Sequence, residues 1–467
     1  MTLRFASLLA ISGALVLFGC GASRDLNDNN LGAGDPDGGG LNFDADDPFD
    51  VGEGGPPGPC TGLACEKASC PAGIQTTISG TIYAPNGKLP LYNVIAYIPN
   101  AEVAPLPKGA TCDKCGATVS GSPIVTALSD AKGQFVLKDV PVGTNIPLVI
   151  QLGKWRRIVK IPKVEPCVDN KLTDPNLTRL PKNQSEGNLP KIAVTVGGCD
   201  KLACMLPKIG IDASEYGVEG TSKAVHFYKP SSGFLIDGPA GMKDARVLWD
   251  NPAKLKEYDI AIFSCECTEA TSTKGTASYA AVNEYLNAGG RIFTTDFQYL
   301  WYKQSPDANM RGVGSIPGGA PTGGNPVNIN TSFPKGKALA DWLSYVDKSV
   351  AYGKVQCDYV FNNFSPADPG RSQTWGSSSG GSGGAGSGNN PRFLTINTPV
   401  GKPVESQCGK AVHLDAHING SDTINASFPS GCTTPIKQGE EAFAFFFFDL
   451  SSCIQKEGDP PAPPPIK

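Results

Sequence analysis

The spacing of hydrophobic positions changes along the chain and indicates two kinds of folded region. Between residues 74 and 162, short alternating runs of β-branched and aromatic residues are separated by Pro-Asn-Gly and Asp-Ala-Lys-Gly turns. Alternation with a period of two, bounded by turn residues, is typical of half-buried strands. At least five such runs indicate a β-sandwich. The predicted strands are residues 77–83, 92–98, 134–137, 147–152 and 156–161.

From residue 191 onward, apolar strand-like runs alternate with stretches of helical spacing. The runs 191–197, 258–264 and 291–296 are strand-like, and 277–286 has the apolar spacing of a helix that ends at Asn287-Ala-Gly-Gly290. This alternation predicts a mostly parallel, doubly wound α/β sheet. Residues 336–346 and 440–451 predict two more helices, and 411–418 another strand. The apolar run 441–450 is too short to span a bilayer, so we expect it to pack on the sheet.

These patterns and the composition divide the chain into seven segments. Residues 20–59 are rich in Gly, Asp and Pro without apolar periodicity, which predicts an unfolded tether. A Gly/Ser-rich stretch within the α/β region predicts a mobile loop, and the final proline run an extended, solvated tail. The predicted segments are 1–19 (signal peptide), 20–59 (acidic tether), 60–73 (Cys-rich connector), 74–165 (β-sandwich), 166–190 (connector), 191–455 (α/β domain with its Gly/Ser loop at 376–388) and 456–467 (Pro-rich tail).

The first twenty residues have the features of an export signal. Arg4 precedes an apolar run, and Leu17-Phe18-Gly19-Cys20 places a small residue before a cysteine. This pattern resembles a lipobox, which implies that Cys20 becomes the acylated first residue of a bacterial lipoprotein. Gly21 is not the Asp that often marks inner-membrane retention, so we expect a lipid anchor in the outer membrane of the cell envelope. An ordinary secretory signal cut near Ala22 and an uncleaved anchor stay open as alternatives.

The cysteine count also indicates an oxidising compartment. Of 15 cysteines, 14 remain once Cys20 is lipidated, an even number that could form seven disulfides. The spacing of Cys112 and Cys115 would suit half of a zinc site, but no second pair with a zinc-ribbon pattern accompanies it. We therefore predict disulfides. The candidates are Cys60, Cys65, Cys70, Cys112, Cys115, Cys167, Cys199, Cys204, Cys265, Cys267, Cys357, Cys408, Cys432 and Cys453.

Charge limits the class of partner. The full chain has 40 basic and 44 acidic residues, and removal of Arg4 with the signal leaves 39 against 44, a net charge of −5. Mild acidity without a basic cluster argues against nucleic acid as a partner. We expect the membrane, through the lipid anchor, and an envelope glycan or protein as partners.

The sandwich region resembles a known family. Residues 126–143 contain Ser-Asp130-Ala-Lys-Gly133-Gln-Phe135 followed by Pro141-Val-Gly143, and Ser79-Gly-Thr-Ile-Tyr83 precedes them. This pattern is similar to carboxypeptidase regulatory-like domains, which are small transthyretin-like sandwiches. The resemblance implies a hairpin turn at 130–133 and a stalk, spacer or contact module without catalytic residues. The chain departs from the family in a loop with Cys112 and Cys115, where we expect a local disulfide.

The α/β region resembles a second family. The strand Tyr258-Asp-Ile-Ala-Ile-Phe, the helix after it and Gly289-Gly290-Arg-Ile-Phe are similar to the class I glutamine amidotransferase-like fold, a flavodoxin-related architecture. The two regions behind a lipobox also resemble large predicted bacterial lipoproteins of unassigned function. Amidotransferases use a cysteine, a later histidine and a carboxylate two residues on, and Cys265, His413 and Asp415 follow that order. The glycines that flank the family's nucleophile are absent here, which speaks against catalysis.

A divalent metal is the alternative chemistry for these residues. His413, Asp415 and His417 alternate, so on one strand they would share a face and could share a metal. Alternation is equally typical of any half-buried strand. Glu266 and Asp296 follow adjacent predicted strands, where such sheets place ligand sites. A helix cap or a salt bridge explains both equally well.

The sequence therefore favours an exported binding or structural protein without catalysis and without a cofactor beyond a possible divalent metal. One rival is an exported hydrolase or metal-dependent enzyme that uses the α/β domain. A second rival is a carbohydrate- or envelope-binding module centred on the sandwich. A stoichiometric metal would favour the first rival over the second.

Overall fold

The computed structural model describes residues 60–231, 238–366, 368–381, 383–418 and 428–466. The predicted signal peptide, Cys20 and the predicted tether lie outside the described residues. In the described part, no helix is long and apolar enough to cross a membrane.

Seven strands fill the first part of the described chain. All five predicted strands recur, and two further strands form, one before the motif around Asp130 and one in the connector after Cys167. The strands are β1 (Thr77–Thr81), β2 (Ile95–Pro99), β3 (Pro123–Leu128), β4 (Gln134–Lys138), β5 (Gly143–Leu152), β6 (Trp155–Val164) and β7 (Asp169–Leu172).

These strands form two sheets with apolar inner positions. One sheet has the order β4-β1-β7 and the other β3-β2-β5-β6. In β4 the burial alternates along the strand, and Phe135 and Leu137 are both in the core. The alternation of period two that predicted this strand therefore places its apolar side chains on the buried face.

The turn at residues 130–133 forms, but it does not close a hairpin. The Asp130 Oδ1 accepts hydrogen bonds from the backbone N–H groups of Lys132 and Gln134, each at 2.8 Å. Gly133 has φ +74°, which a residue without a Cβ adopts readily. The flanking strands β3 and β4 belong to different sheets. The turn is therefore a corner between sheets, and the predicted hairpin is wrong.

The second part of the chain combines short helices with one large sheet. The described residues also contain 3₁₀ helices, one before β1 at Gly62–Glu66 and three in the second part at Ala213–Glu215, Asp296–Tyr299 and Val404–Ser406. The remaining elements are α1 (Pro175–Thr178), β8 (Ile192–Thr195), α2 (Leu202–Lys208), β9 (Tyr216–Val218), β10 (Val225–Lys229), β11 (Lys243–Asp244), α3 (Arg246–Trp249), α4 (Pro252–Lys256), β12 (Ile260–Phe263), α5 (Thr276–Asn287), β13 (Arg291–Thr295), α6 (Leu300–Lys303), α7 (Ala308–Arg311), β14 (Val327–Ile329), α8 (Pro334–Val346), β15 (Lys354–Val355), β16 (Tyr359–Val360), β17 (Gln373–Ser379), β18 (Asn389–Thr398), β19 (Gly409–Leu414), β20 (Ala416–His417) and α9 (Gln438–Ser451).

The large sheet is half parallel and half antiparallel. Its order is β11-β10-β8-β12-β13-β19-β18-β17-β14-β15, with β9 paired to β10. Pairs from β11 to β19 are parallel, and pairs from β19 to β15 are antiparallel. The prediction of a mostly parallel sheet thus holds only for the first half. Within that half, the chain runs from β8 to β10 on one side of β8 and then returns to β12 on the opposite side of β8.

Helices cover both faces of this sheet. Side chains from α2, α8 and α9 pack into one buried cluster, which also contains the sandwich core, and those from α3, α5 and α6 pack into a second. Helix α9 lies on the sandwich side, where Phe447 packs edge-on against Trp155 and Phe445 stacks on Tyr92. The predicted packing of the run 441–450 is confirmed, because every residue of that run is buried.

Six disulfides stabilise the described chain, which falls in one compact unit from Pro59 to Lys467. The predicted local bridge between Cys112 and Cys115 is wrong, because the loop that carries them lies against the α/β region and each thiol meets a distant partner there. Cys265 and Cys357 remain as buried thiols, so six disulfides form where seven were expected. The pairs are Cys60–Cys65, Cys70–Cys167, Cys112–Cys408, Cys115–Cys453, Cys199–Cys267 and Cys204–Cys432.

Two polar segments are more ordered than their composition predicts. The predicted boundary of the Gly/Ser loop, 376–388, begins too early, because residues 376–379 belong to β17. The Asn362 side chain donates hydrogen bonds to the carbonyls of Gly383 and Gly386, which ties the rest of the stretch to the fold. In the Pro-rich tail, Pro464 is buried and its carbonyl accepts a 2.8 Å hydrogen bond from Thr126 Oγ1. The tail is therefore not solvated throughout.

Candidate functional site

The candidate site lies where the parallel strands end and the chain changes direction across the sheet. β8 and β12 are neighbours in the sheet. The connection after β8 leads to β10 on one side, and the connection after β12 leads to β13 on the other. Where two neighbouring strands connect in opposite directions, a crevice opens at their carboxyl ends. The backbone is close-packed here, because the Cys199 N–H donates to the Cys265 carbonyl at 3.2 Å. A Cβ at Gly197 would clash with that same carbonyl. Glycine is therefore required at this position.

Three side chains of different chemistry meet at this edge. Cys265 follows β12, Asp296 follows β13 and His417 ends β20. The Cys265 Sγ donates to Asp296 Oδ2 at 3.4 Å, and His417 Nε2 lies 3.1 Å from the same oxygen. Their ligand atoms all lie within 4.8 Å of one another, the one such group of three found among the described residues. We call these three residues the cleft cluster.

An asparagine fixes the carboxylate of the cleft cluster. The Asn363 side chain donates to Asp296 Oδ1 at 2.9 Å and to Asp415 Oδ1 at 2.6 Å. Its backbone N–H donates to Asp415 Oδ2 at 2.7 Å, and Arg392 lies 4.0 Å from that oxygen. Because Oδ1 of Asp296 is occupied in this way, Oδ2 is presented to Cys265 and His417.

The backbone at Asp296 is also unusual. Asp296 is fully buried and has φ +38°, in a region that residues with a side chain rarely adopt. Such conformations cost free energy and cluster at binding and catalytic sites. The surrounding contacts hold Asp296 in this conformation, where β13 turns into a 3₁₀ helix.

Another buried carboxyl group, that of Asp200, lies beside the cleft cluster. Asp200 is buried, and its Oδ1 accepts a 2.9 Å hydrogen bond from the Ile418 N–H. Burial raises the pKa of Asp200 above its usual value. Burial disfavours protonated His417, but the carboxylates of Asp200 and Asp296 outweigh this effect and raise the pKa of the imidazole. The site therefore carries more acidic than basic groups and favours positive charge.

The Cys265 thiol is not activated as a nucleophile. It is fully buried, and burial together with the charges of Asp296 and Asp200 raises the pKa of the thiol well above its usual value. A cysteine nucleophile needs the opposite shift and an imidazole base beside it. The arrangement suits a thiol that hydrogen-bonds or binds a metal, rather than one that attacks a carbonyl.

His413 does not join this site. Its Nδ1 lies 3.0 Å from Thr294 Oγ1, and its ring packs against Tyr302 and Phe364. The predicted trio of His413, Asp415 and His417 on one strand is wrong because β19 ends at Leu414. After a bend at Asp415 the chain pairs with β16 instead, which separates the environments of the two histidines. His413 also lies away from the Cys265 thiol, so the predicted amidotransferase order does not become a triad.

Glu266 has a structural partner of its own. Its side chain forms a fully buried ion pair with Lys274 at 2.7 Å and accepts a 2.9 Å hydrogen bond from the Ser231 N–H. The Lys274 ammonium also lies over the rings of Trp249 and Trp301, at 5.4 and 5.5 Å. Of the two explanations open for Glu266, the salt bridge therefore applies.

An open cleft of about 630 Å³ reaches the cleft cluster. Asp296 and His417 line it, while Cys265 lies beneath them. Aromatic rings form much of the remaining wall, and Tyr359 is 52% exposed. The other lining residues are Gly198, Cys199, Lys201, Phe297, Gly319, Ala320, Tyr359 and Phe361.

Sequence reasoning missed two residues of this site. Asp200 follows the first strand of the α/β region, and its position at the carboxyl end of β8 was a usable signal. Asn363 lies in an irregular segment after β16. No local pattern distinguishes it from other asparagines, so only the folded chain identifies its role.

Comparison with known proteins gives no family for this chain. No protein-family model and no curated protein matches it. Among solved structures, a C-terminal interface mutant of a type II cohesin–X-dockerin complex from Acetivibrio cellulolyticus aligns at 17% identity over 26% of this chain and 76% of that chain, with a TM-score of 0.15. An N-terminal interface mutant of that complex aligns at 14% identity over 32% of this chain and 95% of that chain, with a TM-score of 0.16. At such TM-scores the similarity supports no conclusion about fold or function.

Proposed function

We propose that this protein is an exported, lipid-anchored protein of the bacterial cell envelope that binds an envelope glycan in the cleft beside Asp296 and His417. It performs no thiol chemistry. In this proposal the lipid on Cys20 holds it in the outer membrane. The fold is a transthyretin-like sandwich joined to a flavodoxin-related α/β domain.

The position of the cleft carries this proposal. Apart from the short strands β9 and β11, the parallel strands are β8, β10, β12, β13 and β19, and their spatial order is second, first, third, fourth and fifth, as in flavodoxin-like sheets. In such sheets ligands bind outside the carboxyl ends of the strands, at the point where the strand order reverses. The cleft opens at those ends, next to the residues that follow β8, β12 and β13.

The lining of the cleft suits a polar ligand with apolar faces. Tyr359, Phe297 and Phe361 offer aromatic surface, and Asp296, His417 and Lys201 offer charged groups. Binding sites of this kind combine apolar walls with a few fixed polar groups. A sugar presents both C–H faces for rings and hydroxyl groups for carboxylates, so a glycan fits this lining better than a purely apolar molecule.

The state of Cys265 favours binding over hydrolysis by a cysteine. The thiol donates a hydrogen bond to a carboxylate, and burial raises its pKa. Export is supported by the six disulfides, which persist in oxidising compartments.

The test is co-sedimentation of the protein with isolated peptidoglycan sacculi, with lipid vesicles as the comparison. Tyr359→Ala removes an exposed ring from the cleft. Tyr352→Ala is its matched control, because Tyr352 is 55% exposed and lies outside the cleft. We expect the unmodified chain and Tyr352→Ala to sediment with sacculi and Tyr359→Ala to lose at least about tenfold in affinity. Equal retention of the two variants, or no retention at all, would contradict the proposal.

Anchoring is tested separately. Incorporation of radiolabelled palmitate into the full chain is expected, and Cys20→Ser should abolish it. Label that persists in Cys20→Ser would contradict lipidation at this cysteine.

A further inference from the structure

The cleft cluster combines the three side-chain types that bind zinc in proteins. The thiol follows β12, the carboxylate follows β13 and the imidazole ends β20, and the three side chains meet at Asp296 Oδ2. Thiolate and imidazole ligands favour zinc over magnesium or calcium, which bind through oxygen.

The two distances to Asp296 Oδ2 are close to those around one tetrahedral ion. Ligand atoms at the usual zinc bond lengths of about 2.0–2.3 Å lie roughly 3.4–3.6 Å from one another in a tetrahedron. The Cys265 Sγ lies 3.4 Å from Asp296 Oδ2, and His417 Nε2 lies 3.1 Å from that oxygen. The third separation, from the Cys265 Sγ to the His417 Nε2, is below 4.8 Å, so zinc binding would draw the thiol and the imidazole together around Asp296 Oδ2.

The imidazole nitrogen faces this centre without a hydrogen bond. His417 is 8% exposed, and its Nε2 is a buried atom that has no hydrogen-bond partner, although a carboxylate oxygen is near. Its one compensating contact is the charge of the Asp296 carboxylate, 3.1 Å away. A metal ion between His417 and Asp296 would take the place of the Nε2 proton, which passes to solvent, and would bind the nitrogen and the carboxylate together.

Neighbouring groups hold the carboxylate in a one-oxygen binding mode. Asn363 occupies Asp296 Oδ1, which leaves Oδ2 as the ligand atom, and Asp415 in turn fixes Asn363. Hydrogen bonds of this kind to the non-binding atom orient ligands in known metal sites. Asp200 is a further buried oxygen donor in this region, and its Oδ2 has no hydrogen-bond partner among the described residues.

A reduced thiol at this place also needs an explanation. The disulfide Cys199–Cys267 brackets Cys265, and the Cys267 N–H donates to its sulfur at 3.3 Å. In an oxidising compartment a thiol next to a disulfide is exposed to exchange whenever it ionises. Metal binding would keep the sulfur in a single defined state.

We propose that Cys265, Asp296 and His417 bind one zinc ion, whose fourth coordination position faces the cleft. Binding replaces the thiol proton of Cys265, which passes to solvent. Three protein ligands with one open position is the arrangement of zinc sites that bind or activate an exogenous oxygen donor. The fourth position would take a hydroxyl or carboxylate oxygen of the molecule in the cleft. The zinc site does not depend on the proposed glycan binding, since the metal is measured without a ligand.

The first test is zinc analysis of the purified full chain after chelation, zinc reloading and removal of unbound metal. We expect one zinc per chain. Cys265→Ser should lose it, with affinity reduced at least about tenfold. Cys357→Ser is the matched control because Cys357 is the other buried thiol, outside the cleft cluster. No retained zinc, or equal retention in the two variants, would overturn the proposal.

The second test needs no variant and stays decisive if Cys265→Ser fails to fold. Cobalt(II) replaces zinc in such sites and reports its ligands by absorption. We expect a thiolate-to-cobalt charge-transfer band and tetrahedral d–d bands that saturate at one cobalt per chain. Saturation without the charge-transfer band would exclude Cys265 as a ligand and overturn the proposal.

Discussion

Two buried polar clusters in this protein have opposite charge balance. The first, which we call the charge-paired cluster, consists of Lys335, Lys410, Asp449 and Glu457. Each lysine lies within 3.3 Å of both carboxylates, so two positive charges face two negative ones. The cleft cluster and nearby Asp200 instead combine two carboxylates and a thiol with one histidine. Among the described residues, the charges of the first cluster balance, and the proposed zinc ion would balance those of the second.

Position in the fold agrees with this difference. The charge-paired cluster lies beneath α8 and α9, on the side where the sandwich packs, and all four residues are buried. The cleft cluster lies at the open edge of the sheet and reaches a cleft. Buried ions with full partners hold a fold in one arrangement, whereas an unbalanced group at an edge is typical of a binding site.

The largest expected effect is on stability, from Asp449→Asn. This change leaves Lys335 and Lys410 with one carboxylate, and breaking a buried ion pair costs about 3–5 kcal/mol. Denaturant unfolding at pH 7 measures the loss. Asp459→Asn is the control, since Asp459 is exposed and close in sequence. If Asp449→Asn lowers the free energy of unfolding by less than about 1 kcal/mol, the buried lysines do not need the Asp449 carboxylate as a partner.

The disulfide Cys115–Cys453 is expected to stabilise the charge-paired cluster and to have no effect on the cleft cluster. It anchors the chain just before Glu457, where the Ile454 carbonyl also accepts a hydrogen bond from the Cys115 N–H. Replacing both cysteines by serine should cost about 2–5 kcal/mol. The short-range bridge Cys60–Cys65 provides the control, with a smaller loss because it closes a short loop. Zinc stoichiometry should not change, and a change would contradict the independence of the two clusters.

Acid should weaken the charge-paired cluster at a defined pH. Burial alone would raise the pKa of Asp449, but Lys335 and Lys410 outweigh it and lower the pKa to about 2. A lowered carboxyl pKa contributes stability above the unfolded value of about 4, and this contribution is lost as pH falls toward 2. The loss is on the order of 2 kcal/mol. Unfolding free energies of the unmodified chain and Asp449→Asn should converge from pH 6 to pH 2, and a constant difference would contradict this.

The smallest expected effect, with the opposite sign, is from Asp200→Asn. Burial raises the pKa of Asp200, so its charge destabilises the metal-free protein at neutral pH. Neutralising it should increase the free energy of unfolding at pH 7 by about 1 kcal/mol, as measured with chelator present. The same variant should bind zinc more weakly. A loss of stability without metal would show that Asp200 is already compensated within the protein.

The sequence predicted the elements better than it predicted their partners. Period-two alternation placed Phe135 in the core, and helical spacing identified α5, α8 and α9 within a few residues, because these signals are local. The pairing of Cys112 with Cys408 and of Cys115 with Cys453 joins residues about 300 positions apart. No local pattern encodes such contacts.

For the site, the sequence identified the individual residues but not their grouping. Cys265 was a candidate from the amidotransferase order, Asp296 from its place after a predicted strand, and His417 from its alternation with His413 and Asp415. The predicted grouping of His417 with His413 failed because the bend at Asp415 interrupts the strand, and alternation holds only along a continuous strand. Asn363, which fixes Asp296, lies 67 positions away from it and had no signal.

The most direct test of the contrast between the two clusters is X-ray absorption of the protein loaded with one zinc per chain. The account predicts one sulfur ligand at about 2.3 Å and light-atom ligands at about 2.0–2.2 Å. The sulfur should disappear in Cys265→Ser and persist in Cys357→Ser. A shell of light atoms alone in the unmodified chain would contradict the account, because the zinc would then lie outside the cleft cluster.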